Sequence, residues 1–215
     1  QAFKFKILYK LFKQNSKFIT DDVSLFIDNN LKVKFIKGDE NNLKITNKID
    51  IKKNIQKTHF GIGFDIHRLE TNKKLFLGGV KIPYHLGLKA HSDGDVIIHA
   101  LIDSLLGACK LKDIGILFSN KKQKYKNIRS SKMLIKVLKL INQRKFYVNN
   151  IDINVVAERP KINKYRNKII NSISKLCNIN KSQINIKGKT AEKLGLIGKE
   201  KAIACEVITS VIKYA

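Results

Sequence analysis

The sequence predicts an α/β (α+β) fold for residues 57–215, with a sheet that carries helices on one face. Strand-like and helix-like segments interleave along this part of the chain, as expected when helices pack on a sheet. Residues 94–109 carry apolar side chains at helical spacing, whereas Ile151, Ile153 and Val155 alternate with polar residues, as in a half-buried strand. With 215 residues, 43% of them hydrophobic, the chain can build one full core.

The first predicted strands are residues 60–67 and 74–82, on either side of a turn at Glu70–Lys73. Gly78–Gly79 marks a bend or a bulge within the second strand. A cap signal at Ser92–Asp93 opens the helix predicted at 94–109. The remaining elements are predicted in the order helix 130–145, strand 148–155, helix 162–177, strand 183–188 and strand 201–213.

Residues 1–56 differ from the rest because they are basic, rich in Asn and Lys, and weakly periodic. They are predicted to be an N-terminal extension, either a transit-like targeting segment or a disordered one. A targeting segment of this composition predicts a plastid-type organelle. Without a targeting role, the expected location is the cytoplasm.

The net charge of +26 comes from 43 Lys and Arg against 17 Asp and Glu. Such a balance can indicate a nucleic-acid partner. Here Lys, Asn and Ile recur along the whole chain rather than in one basic stripe with interleaved aromatics, which favours compositional drift. No apolar run approaches the roughly 18–20 residues of a membrane span, so no membrane association is predicted.

The three cysteines, Cys109, Cys177 and Cys205, are widely spaced and stand among apolar neighbours. They are therefore predicted to be reduced core thiols.

A metal site is predicted at Asp65, His67 and His99. Residues i and i+2 of a strand share a face, so the first two can bind one ion, and His99 reaches it from the packed helix. Two imidazoles and one carboxylate suit Zn²⁺ with an open position, and residue type leaves Mn²⁺ or Fe²⁺ open. Asp95 and Asp103 lie one helical turn on either side of His99, where they could support it or simply form a solvated face.

Two further segments carry candidate phosphate chemistry. His91 and the backbone N–H groups that follow it stand before a helix N-terminus, which favours phosphate binding. The segment 188–195 contains Lys189, Thr190 and Glu192, and a carboxylate beside Lys and Thr can hold Mg²⁺ against phosphate oxygens. The alternative for this second segment is an ordinary charged turn.

Four motifs together resemble the 2-C-methyl-D-erythritol 2,4-cyclodiphosphate synthase family, over about three quarters of the chain. Their order and separations also resemble the family pattern. The motifs are GxGFDIHRL at 61–69, LGGVKIPYHLGLKAHSDGDVIIHALIDSLLGA at 77–108, DIGILF at 113–118 and TAEKLG at 190–195.

The resemblance implies a role for each matching residue. Asp65, His67 and His99 match zinc ligands, and Glu192 matches a Mg²⁺ ligand. Asp65, His67 and Glu192 also match substrate-binding residues, as do His91 and Thr190. His91 and Thr190 match the pair that stabilises the transition state. The matching substrate contacts are Ser92, Asp113, Gly115, Ala157, Lys161, Lys189 and Lys199.

The resemblance also implies an activity and an assembly. The reaction is the cyclisation of 4-diphosphocytidyl-2-C-methyl-D-erythritol 2-phosphate to the 2,4-cyclodiphosphate with release of CMP. It is a phosphorus–oxygen lyase reaction of non-mevalonate isoprenoid synthesis. Family members are homotrimers of ferredoxin-like subunits with shared active sites, and some bind an isoprenoid diphosphate on the threefold axis, near positions that match Phe64 and Glu206.

Two departures from the family pattern stand out. Asn120 and Lys122 replace acidic residues of a loop that covers the substrate, and Lys199 stands where an Arg is common. The changed loop leaves a catalytically inactive trimeric scaffold as a rival interpretation, beside a nucleic-acid-binding module supported by charge alone.

Overall fold

The computed structural model describes residues 2–14, 21–38, 57–118 and 128–213. The chain divides into two compact units, residues 1–51 and 52–215.

The described part of the first unit, residues 2–14 and 21–38, contains two short helices, α1 (Phe5–Gln14) and α2 (Asp22–Asp28). The carboxylate of Asp21 caps α2 by accepting a 3.2 Å hydrogen bond from the backbone N–H of Val23. Leu11, Leu25 and Phe26 form a small buried cluster. Apolar residues too few to give a clear periodicity in the sequence therefore pack across this pair of helices, and the transit-like or disordered extension stays a prediction.

The described strands of the second unit are β1 (Lys57–Glu70), β2 (Leu75–Leu77), β3 (Val80–Ile82), β4 (Gly87–Leu88), β5 (Phe146–Val156), β6 (Ile184–Lys189) and β7 (Ala202–Lys213). Within the described residues, five of them form one mixed sheet in the order β4-β1-β7-β5-β6. β5 and β6 run parallel, and the other neighbouring pairs are antiparallel. A separate two-stranded hairpin is made by β2 and β3.

The helices of the second unit provide the other half of its core. The central one, α3, packs on β1 and β7, and its residues are buried on nearly every side. The predicted α/β class, a mixed sheet packed with helices, is confirmed. The helices are α3 (Val96–Ala108), α4 (Ile114–Leu117), α5 (Ser130–Gln143), α6 (Arg166–Cys177) and α7 (Gly195–Gly198), with short 3-10 turns at Ile162–Tyr165 and Lys181–Gln183.

The segment predicted as one strand at 74–82 is two short strands joined by a tight turn. Gly78 and Gly79 both have positive φ, at +59° and +80°, and this reverses the chain instead of bending it. β1 consequently pairs with β4 and with the distant β7, not with the segment that follows it. The predicted bend is therefore a complete hairpin turn.

Two glycines of β1 allow α3 to lie unusually close to the sheet. A Cβ at Gly61 would lie 2.0 Å from the carbonyl oxygen of Ser104, and one at Gly63 would lie 2.0 Å from that of Ala100. Any side chain at either position would therefore push the helix away from the strand. This contact brings the side chains of α3 next to those of β1.

The three cysteines are free and buried, which confirms their prediction as core thiols. Burial raises the pKa of Cys109 to about 11 and that of Cys177 to about 12. Among the described helices, none has the length and apolar character needed to cross a bilayer.

Candidate metal centre and its cavity

The three predicted metal ligands converge on one point. Oδ2 of Asp65 lies 2.9 Å from Nε2 of His67 and 3.0 Å from Nδ1 of His99, and the two nitrogens are 3.0 Å apart. Asp65 and His67 reach this point from one face of β1, and His99 reaches it from α3. The spacing i, i+2 on a strand thus predicted the pair, and the close helix contact supplies the third ligand.

The donor set fits a tetrahedral divalent ion. Bonds of about 2.0–2.1 Å from a tetrahedral metal would separate its ligand atoms by about 3.3 Å. The three ligand atoms reach that separation if each distance between them increases by a few tenths of an ångström from its observed value. Three protein ligands leave a fourth position for a substrate oxygen, as in catalytic rather than structural zinc sites.

Asp65 is held in its anionic form by the two imidazoles. Burial alone would raise its pKa, but hydrogen bonds and charge interactions from His67 and His99 outweigh burial and hold the pKa well below its usual range. Its other oxygen, Oδ1, accepts a 2.8 Å hydrogen bond from the backbone N–H of Ile66. An anionic oxygen is therefore available to a cation at this point.

Asp95 begins α3 and fixes the end of the helix that carries His99. Its carboxylate accepts hydrogen bonds from the backbone N–H groups of Ile98 at 3.1 Å, Gly78 at 2.8 Å and Gly79 at 2.5 Å. The cap is therefore Asp95, not the predicted Ser92–Asp93, because this buried carboxylate satisfies the hairpin turn and the helix together. The solvated-face alternative is wrong for Asp95, which is fully buried.

The ring of His99 is also held on the side away from the ligand triangle. Its Nε2 lies 2.9 Å from Oγ of Ser130 and 3.0 Å from Oγ of Ser92. Asp93 accepts a 3.0 Å hydrogen bond from the backbone N–H of Ser130, and a second bond from the Ser130 hydroxyl. Sequence reasoning missed Ser130 and this role of Asp93, since 37 residues separate them and a lone serine carries no pattern.

A cavity of about 470 Å³ opens beside the ligand triangle. Three other predicted site residues, His91, Ser92 and Gly115, line it. Asp113 caps α4 by accepting a 3.0 Å hydrogen bond from the backbone N–H of Ile116. Asn120 and Lys122, the two altered positions, lie outside the described residues.

Ala157, Lys189, Thr190 and Glu192 lie at the ends of β5 and β6, the two strands at the far edge of the sheet. Ala157 follows β5, and its backbone N–H donates a 2.9 Å hydrogen bond to the carbonyl of Lys189 at the end of β6. Beyond β6, the hydroxyl of Thr190 donates to the carboxylate of Glu192. Neither Lys161 nor Lys199 lines the cavity beside the ligand triangle.

The strand register gives the distance between the metal ligands on β1 and the predicted site residues at the end of β6. Asp65 pairs with Cys205, Cys205 with Val155, and Val155 with Gly188, so three strand spacings separate Asp65 from Gly188. At about 4.8 Å per spacing, the separation is about 14 Å. Lys189 lies in the next row and shares the face of Ile66, opposite to that of Asp65. Within one chain, the metal ligands and Lys189 are therefore kept apart.

The chain is similar to several known proteins. A family model described as the YgbB family matches residues 58–212. The chain is 48% identical to 2-C-methyl-D-erythritol 2,4-cyclodiphosphate synthase of Clostridium botulinum, over 71% of the chain and 98% of that protein. It is also similar to the structure named as the CDP complex of Plasmodium falciparum IspF, with 42% identity, a TM-score of 0.65, and coverage of 74% of this chain and 97% of that one.

Longer relatives match as well. The chain is 55% identical to the bifunctional enzyme IspD/IspF of Pelagibacter ubique, over 99% of the chain. It also resembles the structure of bifunctional IspDF from Campylobacter jejuni, with 37% identity and a TM-score of 0.71, over 98% of the chain. The chain spans 57% and 58% of the lengths of these two relatives.

Proposed function

The chain belongs to the YgbB family, and from that premise we propose that it cyclises 4-diphosphocytidyl-2-C-methyl-D-erythritol 2-phosphate to 2-C-methyl-D-erythritol 2,4-cyclodiphosphate. The observation that carries the proposal is the ligand triangle of Asp65, His67 and His99 at the wall of a cavity large enough for a phosphorylated sugar. The reaction belongs to non-mevalonate isoprenoid synthesis and releases CMP.

The reaction requires the protein to position the substrate and to stabilise the negative charge on its phosphates. An oxygen of the 2-phosphate bonds to the β-phosphorus, and the bond from that phosphorus to the bridging oxygen breaks, so CMP leaves with that oxygen. Because the nucleophile is already an anion, the site needs no strong general base. The protein must fold the substrate back on itself and hold its phosphates at a fixed place.

Each group of residues has a part in this proposal. Asp65, His67 and His99 would hold zinc, and Glu192 would hold magnesium. Bound at these positions, the two cations would act as Lewis acids that withdraw charge from the phosphate oxygens. His91 and Thr190 would donate hydrogen bonds to the transferring phosphoryl group. The proposed substrate contacts are Ser92, Asp113, Gly115, Ala157, Lys161, Lys189 and Lys199.

The separation of the two residue groups supports a shared site in a homotrimer of ferredoxin-like subunits. About 14 Å and opposite sheet faces divide the zinc ligands from Lys189 within one chain, so a neighbouring copy would have to supply the second group. The outer face of β1 offers a contact surface, because Phe60, Ile62 and Phe64 are exposed there. Glu206 pairs directly with Phe64, and these residues would face an isoprenoid diphosphate on the threefold axis.

The targeting role of residues 1–56 stays a prediction. The match to the Pelagibacter ubique enzyme extends over these residues, and α1 and α2 pack together within them. Both observations favour a folded segment over a cleaved leader.

The test is CMP release by the purified chain from the synthetic substrate, with zinc and Mg²⁺ present. We expect turnover that a chelator abolishes and that zinc with Mg²⁺ restores, while His67→Ala stays inactive after the same treatment. A zinc-loaded trimer that releases no CMP would instead support the inactive scaffold. Salt-sensitive binding of RNA or DNA without CMP release would support the nucleic-acid module.

A further inference from the structure

We propose that Ser130 is a positioning residue of the metal centre, which orients His99 through a hydrogen bond and connects it to Asp93. The inference rests on the proposed function only in taking His99 as a metal ligand. Ser130 begins α5, contacts none of the three ligand atoms of the triangle and lies outside the four sequence motifs.

The two nitrogens of His99 face different partners. Nδ1 lies 3.0 Å from Oδ2 of Asp65, on the side of the ligand triangle. Nε2 lies 2.9 Å from Oγ of Ser130, on the opposite side. A neutral imidazole that offers Nδ1 to a cation carries its proton on Nε2, and that N–H needs an acceptor. The geometry makes a serine hydroxyl that acceptor.

Two hydroxyls lie within reach of Nε2, and their surroundings differ. The Ser130 side chain is fully buried, and its proton is committed to Oδ1 of Asp93, so its lone pairs are free to accept from His99. Ser92 lines the cavity, where its Oγ accepts a 3.2 Å hydrogen bond from the backbone N–H of Gly94. Ser130 is therefore the permanent acceptor, while Ser92 remains available to a molecule in the cavity.

Asp93 is the anionic end of this chain of hydrogen bonds. It receives both the hydroxyl and the backbone N–H of Ser130, and Nε of Arg129 lies 3.4 Å from its Oδ2. Its side chain is only 9% exposed, which limits screening by water. The carboxylate accepts the hydroxyl proton, and the hydroxyl oxygen accepts the histidine N–H. This arrangement fixes the histidine tautomer and raises the electron density at the nitrogen that binds the metal.

A zinc-affinity measurement separates this role from general core packing. Ser130→Ala removes the acceptor. Ser104→Ala is the matched control, because Ser104 is also fully buried but donates to the carbonyl of Leu101 at 2.8 Å. Apo protein is titrated with zinc against a competing chelator, and the d–d absorption of bound Co²⁺ is recorded for each variant.

We expect Ser130→Ala to bind zinc about 10- to 100-fold more weakly than wild type and to shift the Co²⁺ spectrum. Ser104→Ala should keep both properties, and Ser130→Thr should recover most of the affinity. Wild-type affinity in Ser130→Ala, or an equal loss in Ser104→Ala, overturns the proposal.

A second variant covers the case in which Ser130→Ala does not fold. Asp93→Asn keeps the shape of the carboxylate but removes its charge, so it should also weaken zinc binding. Unchanged affinity in that variant overturns the proposal. CMP release by the wild-type protein is measured in parallel. If the wild type is active and neither variant changes zinc affinity, only the positioning role is refuted. If the wild type is inactive but Ser130→Ala weakens zinc binding, only the proposed reaction is refuted.

Discussion

Oδ1 of Asp103 accepts a 2.7 Å hydrogen bond from the backbone N–H of Ile114, so a carboxylate on α3 holds the first turn of α4. Burial raises the pKa of Asp103, although the bond from Ile114 acts in the opposite direction. Asp103 also lines the cavity beside the ligand triangle, and the solvated-face alternative does not describe it. It therefore fixes the backbone next to Asp113 and Gly115, two of the proposed substrate contacts.

Asp103→Ala is expected to weaken substrate binding without removing zinc. The N–H of Ile114 loses its acceptor, which typically costs about 1–3 kcal/mol, and α4 can shift. We expect KM for CMP release to rise about tenfold, with zinc content unchanged by mass spectrometry. Asp103→Asn keeps an acceptor oxygen and should stay closer to wild type. An unchanged KM in the alanine variant would show that α4 is held by other contacts.

His67→Ala and His99→Ala are expected to abolish stoichiometric zinc binding. Two protein ligands do not hold zinc at the affinity of three. Native mass spectrometry should find about one zinc per wild-type subunit and none in either variant. His85→Ala is the control, because His85 is exposed and its ring lies tilted against that of Tyr84, outside the cavity. Full zinc retention in both ligand variants would contradict the assignment of the site.

Glu192→Gln is expected to keep zinc and lose most turnover. The neutral amide cannot neutralise a Mg²⁺ ion held against phosphate oxygens, and removal of such a Lewis acid costs on the order of 10³-fold in rate. The measurement is CMP release over a range of Mg²⁺ concentrations, with zinc content as the internal control. Activity near wild type at saturating Mg²⁺ would make Glu192 an ordinary turn residue.

Assembly and catalysis are expected to depend on each other. Light scattering should give a trimer that raised salt does not disrupt, since apolar residues of the outer sheet face, not screened charges, would form the contact. Mixed subunits of His99→Ala and Glu192→Gln, dissociated and reassembled together, should regain part of the activity at intact shared sites. A fully active monomer, or well-mixed trimers without recovery, would refute the shared site.

Gly63→Ala is expected to destabilise the fold or displace α3. Its new Cβ would lie 2.0 Å from the carbonyl oxygen of Ala100, and such overpacking typically costs about 1–3 kcal/mol or more. Gly107→Ala is the matched control, because its Cβ would meet no other atom closer than 3.8 Å and helical alanine is favoured over glycine. Thermal unfolding should show a lower Tm for the first variant and an equal or higher one for the second. Equal Tm values would contradict the tight contact.

The metal ligands could be predicted from the sequence because strand periodicity alone aligns Asp65 with His67. The single histidine of α3 then stands on a helix whose remaining positions are nearly all apolar. The predicted start of α3 was less accurate, because its cap, Asp95, is also held by a hairpin turn from another part of the chain. Local sequence carries no signal for such a contact.

Other parts of the site required three-dimensional information. Ser130 meets His99 across 31 residues, and a serine at the start of a helix has an ordinary explanation in the sequence. The separation between Asp65 and Lys189 follows from strand order, which places β7 and β5 between β1 and β6. The sequence order of the strands does not contain that arrangement.

The glycines at 61 and 63 have a consequence for how the centre acquires its ion. Because the backbone of α3 rests against the backbone of β1, the positions of Asp65 and His99 are determined during folding. The entropy of gathering these ligands is therefore lost before any cation arrives, which favours rapid capture and leaves a pre-organised apo state. Unlike a zinc finger, whose fold depends on its ion, this domain should remain folded after chelation and reload without refolding.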